Sequence, residues 1–176
     1  ARAQLARTAR RHDAARGSLI YAAGARADGA ATAVLETADD ADSRALWPHP
    51  FRVRIDVAVI EARLSVGLEV TNSGETALAF TGALHSYLAI GDLAAARVVG
   101  LNGVRYVDTT PGGGVATDGE PAIAFTGEVD RIYDAAPAGL AVDAPDGWLQ
   151  IATEGFPETV VWNPGAGRCA TIRDLP

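Results

Sequence analysis

The feature that most constrains the fold is a central run in which apolar and polar or small residues alternate strictly. Every second residue from Leu64 to Val70 is a leucine or a valine, and Ser65, Gly67 and Glu69 lie between them. This period of two is typical of a strand that buries only one face. The run therefore predicts a β-strand in an antiparallel sheet, whose second face can remain polar.

Strand patterns of the same kind, separated by turn-forming residues, recur along most of the chain. Residues 18–23 and 32–37 flank the turn formers of residues 26–29, which predicts a hairpin. The turn formers of residues 72–75 follow the central run, and residues 77–90 are then expected to return as its partner strand. Further strands are predicted at residues 123–133, 140–143, 148–152 and 159–163.

Helical patterns are rare. Apart from a weak candidate at the start of the chain, the sequence has no convincing amphipathic segment of ten or more residues. The acidic cluster of Asp39, Asp40 and Asp42 is predicted to lie in a solvated loop. Many short strands with regular turn signals and few helices predict an all-β fold, either a sandwich or a barrel.

Composition excludes several classes of function. The 176 residues, of which 48% are apolar, predict one domain (residues 1–176) with a core of ordinary size. A net charge of −7 argues against nucleic-acid binding, and no apolar run approaches the roughly 20 residues of a membrane span. Cys169 is the only cysteine, which favours a reducing cytoplasm. His12, His49 and His85 lack the spacing of metal ligands, so no metal is expected.

Four segments, in this order, resemble the glucose-6-phosphate 1-epimerase branch of the aldose 1-epimerase (mutarotase) family. They are LWPHPFRVRI at residues 46–55, residues 83–108 with ALHSY and GLNGVRYVD, GEVDRIY at 127–133, and ETVVWNP at 158–164. The resemblance implies a large antiparallel β-sandwich with its sugar site on the concave face of one sheet. It also implies a cofactor-free isomerase of hexose 6-phosphates, and a sandwich that lacks family strands before residue 1 and after residue 176.

The resemblance makes His85 the expected acid/base. On an extended strand, His85 and Tyr87 share the face opposite Leu84 and Leu88. Alternation alone favours a solvent-exposed face for them, and the resemblance favours a ligand cleft. Imidazoles have an ordinary pKa of about 6.5, which suits proton transfer near neutral pH. In the family, the histidine serves the sugar's ring oxygen, and a glutamate takes the proton of the anomeric hydroxyl.

The resemblance also implies substrate ligands, with several departures from the family. Arg7, in a segment that only partly matches the family, would bind the phosphate through its planar guanidinium; a solvated terminal arginine is the alternative. Glu158 replaces the usual aspartate that contacts sugar hydroxyls, and Tyr87 and His49 would lie beside the cleft. The family's glutamate base belongs to a strand after the WNP segment, and the sequence stops near Pro176, so that base is absent from it.

The residues alone do not decide several roles. For the adjacent Asp130 and Arg131, which point to opposite faces of a strand, structural pairing is expected rather than catalysis. Trp162 could stack on a sugar or pack in the core. The absent base and the exchange at Glu158 also fit a non-catalytic carbohydrate-binding β-sandwich, and a purely structural β-domain is a third possibility.

Overall fold

The computed structural model describes residues 20–169 and residue 172. Arg7, the weak helix candidate and the start of the predicted hairpin lie outside the described residues. By its internal contacts the chain divides into two compact units, with the boundary between Ser86 and Tyr87. The expectation of a single domain therefore stays a prediction. Among the described residues, no helix is long and apolar enough to cross a membrane.

The first unit contains one antiparallel sheet in the order β1-β2-β3-β4. Its strands are β1 (Ile20–Ala25), β2 (Ala31–Ala38), β3 (Phe51–Ile60) and β4 (Arg63–Asn72). β1 and β2 form the predicted hairpin, and β4 contains the central alternating run. The period of two has a direct structural meaning here, because the β3–β4 register places Val57 opposite Val66 and Ile55 opposite Leu68 on one apolar face.

Charged side chains occupy the opposite face of this sheet. Arg54 donates from Nε and Nη2 to the two carboxylate oxygens of Asp56, at 2.8 and 2.7 Å. These hydrogen bonds hold the pKa of Asp56 below its ordinary value. Glu69 lies across from Arg54 on β4, and Arg52 pairs with Glu36 on β2 at 3.4 Å. The alternation thus separates an apolar face from a charge-paired face.

A short helix, α1 (Ala41–Leu46), replaces the solvated loop expected for the acidic cluster. Asp40 is its N-cap: its Oδ1 accepts the amide of Ser43 at 2.8 Å, and the Ser43 hydroxyl accepts the amide of Asp40 at 2.8 Å. This reciprocal capping box satisfies amides at the first turn that would otherwise lack partners. The expectation for this cluster was therefore wrong, because a short helix can be specified by its cap rather than by an apolar face.

The second unit is a small sandwich of two four-stranded antiparallel sheets, ordered β11-β10-β5-β8 and β12-β9-β6-β7. The strands are β5 (Arg97–Val99), β6 (Arg105–Asp108), β7 (Val115–Thr117), β8 (Ala122–Ala124), β9 (Val129–Tyr133), β10 (Ala141–Ala144), β11 (Gly147–Gln150) and β12 (Thr159–Asn163), followed by a helical turn, α2 (Gly165–Cys169). Val98 and Val142 of one sheet and Val129 and Val161 of the other belong to a single buried core. The all-β antiparallel fold is confirmed.

Two predicted strands differ from the structure. The run 123–133 is divided between β8 and β9, which belong to different sheets. Residues 77–90 join no sheet at all, so the expected partner strand of β4 is absent from the described arrangement. Leu84 and Leu88 are 38% and 39% exposed. Alternation shows which side chains would share a face of an extended segment. It does not show whether a neighbouring strand pairs with that segment or whether another layer covers it.

Candidate active site

His85 lies in the first unit, on the irregular segment between β4 and β5, and its side chain is exposed. The neighbouring Gly82 lies close to β4, because a Cβ added to it would be 4.0 Å from Leu68 Cδ2. The imidazole is thus open to solvent rather than enclosed in the core. An exposed imidazole is accessible to a ligand.

Tyr87 begins the second unit and packs against Trp162 of β12. The two rings meet edge to face, with centroids 6.4 Å apart and an interplanar angle of 88°, a favourable arrangement for an aromatic pair. Asp130 on β9 lies directly opposite Trp162, and both side chains are half-buried. Val160, on the same face of β12, is 54% exposed. Two aromatic rings and a carboxylate therefore lie on the same side of this sheet, which we call the Trp162 face.

The reverse face of β9 contains a buried polar network. The Tyr133 hydroxyl donates to Asp118 Oδ2 at 2.7 Å, and Arg131 Nη1 donates to the same oxygen at 3.3 Å. The Arg131 guanidinium lies over the Tyr106 ring, 4.6 Å from its centroid, and its Nε is 3.9 Å from Asp108 Oδ2. The structural pairing expected for Arg131 is confirmed, and its carboxylate partners are Asp118 and Asp108 rather than the adjacent Asp130.

Burial of this network shifts the pKa of the Tyr133 phenol. Tyr133 is fully buried and Asp118 is 5% exposed. Burial raises the pKa of the Tyr133 phenol above its ordinary value, and the hydrogen bond to Asp118 raises it further, against the opposing effect of Arg131. The phenol is thus held in its neutral, donating form. Because Arg131 is fixed on this side of β9, the alternation of the strand directs Asp130 to the Trp162 face.

The remaining predicted ligands lie apart from one another in the chain. Glu158 is exposed and immediately precedes β12. His49 is in the first unit, in the turn between α1 and β3, where its amide donates to the Trp47 carbonyl at 2.8 Å. Its ring centroid is 5.0 Å from that of Trp47, and Pro48 and Pro50 on either side restrict the backbone, so His49 lies in a rigid turn. Arg7 lies outside the described residues.

In the structure Tyr87 contacts Trp162, a contact that the sequence did not predict. Tyr87 was predicted as a ligand and Trp162 was left between stacking and core, yet the two are in contact. Asp130, for which structural pairing was expected, lies on the same side of the sheet as Trp162. The 158–164 and 127–133 segments were both recognised, and only the β9–β12 register shows that they are adjacent. In the described part of the chain, no group of three or more His, Cys, Asp or Glu side chains could hold a metal.

Comparison with known proteins identifies the class. A family model described as aldose 1-epimerase matches residues 10–172. Relatives from Cenchrus ciliaris, Salmonella typhimurium LT2 and Escherichia coli K12 share the name "putative glucose-6-phosphate 1-epimerase". They are 31%, 32% and 30% identical over 74%, 76% and 85% of this chain. The aligned parts cover 41%, 44% and 49% of those proteins, so the chain spans about half of their length or less.

A solved structure agrees with these relatives. The crystal structure of a "putative mutarotase (YeaD)" from Salmonella typhimurium is 28% identical and has a TM-score of 0.76, over 90% of this chain and 52% of that one. The antiparallel sheets thus have the mutarotase-like β-sandwich fold that the sequence predicted. The chain belongs to the aldose 1-epimerase family. The resemblance to its glucose-6-phosphate 1-epimerase branch is confirmed by the three relatives.

Proposed function

We propose that the chain binds a hexose 6-phosphate in the cytoplasm and takes part in interconverting its α and β anomers, with His85 as the acid/base at the ring oxygen. In the opening step the protonated imidazole gives its proton to the ring oxygen, a glutamate of the kind the family uses takes the proton of the anomeric hydroxyl, and the bond between C1 and the ring oxygen breaks. Rotation about C1–C2 and reclosure reverse both transfers. The exposure of His85 supports this role, because the imidazole is accessible to a ligand.

The observation that carries the proposal is the Trp162 face in a chain of this family. Sugars combine apolar C–H faces with hydroxyl donors, and an aromatic surface beside a carboxylate complements both. Trp162 and Tyr87 would contact the apolar side of the ring, and Asp130 would accept hydrogen bonds from its hydroxyls. Asp130 lies opposite Trp162 in the β9–β12 register and is half-buried, which supports this assignment.

Three further ligands complete the proposal. Glu158, exposed just before β12, would accept hydrogen bonds from sugar hydroxyls as the family's aspartate does. His49 is proposed as a further substrate ligand. Arg7 would bind the phosphate, because a planar guanidinium can make two parallel hydrogen bonds to phosphate oxygens.

A matched pair of tryptophan variants tests sugar binding. Calorimetric titration with glucose 6-phosphate should show an affinity loss of roughly fivefold or more for Trp162→Ala, equivalent to about 1 kcal/mol of lost aromatic contact. Trp148→Ala is the control, because Trp148 is 62% exposed on β11 in the other sheet. Equal affinity in both variants would show that the Trp162 face does not bind the sugar. Tight binding without any faster anomer exchange would instead favour the non-catalytic carbohydrate-binding alternative.

A further inference from the structure

The backbone carbonyl of Asp130 accepts two hydrogen bonds from a single residue. The Thr109 amide donates to it at 2.9 Å, and the Thr109 hydroxyl donates to it at 3.2 Å. Thr109 directly follows β6, and the β6–β9 ladder ends with the pair of Asp108 and Arg131. The Thr109 amide therefore continues the ladder by one residue. Its hydroxyl adds a second bond to an oxygen for which a ladder supplies one amide.

The direction of this carbonyl affects how Asp130 meets Trp162. In a strand, the amide and the carbonyl of one residue point towards the same neighbouring strand, so the Asp130 backbone bonds towards β6 and not towards β12. Asp130 and Trp162 lie directly opposite each other in the β9–β12 register. They therefore form a pair without mutual backbone bonds, in which the Cα atoms are only about 4.5 Å apart and the side chains are close. A fixed carbonyl thus limits how far the Asp130 side chain can turn away from Trp162.

The turn that contains Thr109 is itself anchored. The amide and the hydroxyl of Thr110 donate to Asp108 Oδ1 at 2.9 and 2.5 Å, and the Thr110 carbonyl accepts the Gly113 amide at 2.9 Å. Asp108 Oδ2 is 3.9 Å from Arg131 Nε, on the side of β9 that faces the buried network. Adjacent residues of one turn therefore contact adjacent residues of β9, so the turn holds the strand at the position of Asp130.

Exposure distinguishes this hydroxyl from a packing group. Thr109 is exposed, whereas Asp130 is half-buried. Substitutions at exposed positions usually change global stability by little, and an exposed hydroxyl that loses its protein partner can bond to water. The bond from Thr109 therefore acts locally, on the carbonyl of the residue that presents a carboxylate to the Trp162 face.

We propose that Thr109 is a positioning residue for Asp130. Its amide and hydroxyl fix the Asp130 carbonyl, and the fixed carbonyl sets the direction in which the Asp130 carboxylate leaves β9 on the Trp162 face. Asp130 contacts the sugar, and Thr109 acts only through Asp130. The contact with the sugar rests on the proposed function, whereas the hold of Thr109 on Asp130 does not.

Three threonine variants of the full-length protein test this role by calorimetric titration with glucose 6-phosphate. Thr109→Val keeps the shape of the side chain and removes the hydroxyl, and it should weaken binding about three- to tenfold, the range that one hydrogen bond can supply. Thr109→Ser restores the hydroxyl and should bind within about twofold of the parent. Thr117→Val is the control, because Thr117 is exposed on β7, which β6 separates from β9. Equal affinity in Thr109→Val and Thr117→Val would overturn the proposal.

A double-mutant cycle shows whether Thr109 acts through Asp130. If it does, adding Thr109→Val to Asp130→Asn should weaken binding by less than about 1.5-fold beyond Asp130→Asn alone, because the two substitutions remove the same interaction. Independent, multiplying losses of affinity would contradict the proposal, because Thr109 would then affect binding by another route.

A measurement without sugar separates this proposal from the proposed function. NMR three-bond couplings to the Asp130 Cγ report the χ1 angle, and they should show one staggered rotamer in the parent and averaging between rotamers in Thr109→Val. Unchanged couplings in that variant would refute positioning. If Asp130→Asn binds glucose 6-phosphate as tightly as the parent, the ligand role proposed for Asp130 is wrong, and the couplings then decide by themselves whether Thr109 positions it.

Discussion

The hydrogen bond between Tyr133 and Asp118 gives the sharpest stability prediction. Tyr133 is fully buried and donates to a carboxylate that is 5% exposed, at 2.7 Å. Tyr133→Phe keeps the packed ring and removes the donor. A hydrogen bond to a charged acceptor contributes about 1.5–3 kcal/mol. Asp118 keeps the contact with Arg131 at 3.3 Å, so we expect the free energy of unfolding to fall by about 2 kcal/mol.

The matched control is Tyr106→Phe. The Tyr106 ring packs 5.1 Å from that of Tyr133, yet its hydroxyl has no hydrogen bond within the described residues. The Phe ring keeps both the packing and the contact with Arg131, so its substitution should cost less than about 0.5 kcal/mol. The comparison thus separates the hydroxyl's hydrogen bond from the general effect of replacing a tyrosine in this core.

Urea denaturation measures the difference. The fluorescence of Trp162 reports on the second unit when Trp47 and Trp148 are both replaced by Phe in the background. With a slope of about 2 kcal/mol per molar urea, a loss of about 2 kcal/mol lowers the midpoint by about 1 M. Equal midpoints for Tyr133→Phe and Tyr106→Phe would refute the reasoning, because the buried carboxylate would then be satisfied without its phenol donor.

Two further predictions concern the loops of the second unit. Gly100 has φ +99°, and a Cβ there would be 2.5 Å from the Gly139 carbonyl oxygen. Gly100→Ala should therefore lower the thermal midpoint sharply, whereas Gly119→Ala, which meets open space, should not. Hydrogen bonds from Thr110 hold the pKa of Asp108 below its ordinary value. These bonds therefore stabilise the fold fully at pH values above the ordinary pKa, and their stabilisation is lost as the pH falls through the pKa of the folded state. Thr110→Val should raise the pKa of Asp108 in an NMR titration and flatten this acid-side loss of stability; an unchanged titration curve would contradict the assignment.

Strand positions were predictable where the sequence reports the buried face directly. The alternation from Leu64 to Val70 lies inside β4, and β12 has the predicted bounds Thr159–Asn163. In β4 the apolar side chains of Val66, Leu68 and Val70 are half-buried while Ser65, Gly67 and Glu69 are exposed, so alternating hydrophobicity alone identifies the strand. The same signal failed at residues 77–90, because alternation is equally present in a segment that has no ladder.

Contacts between distant residues were not predictable from local patterns. Arg131 contacts the carboxylates of Asp118 and Asp108, across a turn and a neighbouring strand, and the local pattern predicted only that Arg131 would form a structural pair. The contact between Tyr87 and Trp162 likewise joins positions far apart in the chain. Recognising the family named His85 and Glu158, but only the strand register placed Asp130 beside Trp162.

Anomer exchange of glucose 6-phosphate tests the central claim most directly. NMR exchange spectroscopy measures the interconversion rate of the α and β forms above the spontaneous rate, with the full-length protein and with its His85→Asn variant. Loss of one positioned acid/base typically lowers a rate by about a hundred- to ten-thousand-fold. We predict a loss of that order in the catalysed rate while glucose 6-phosphate still binds with similar affinity. A variant that retains the full exchange rate would contradict the assignment of His85.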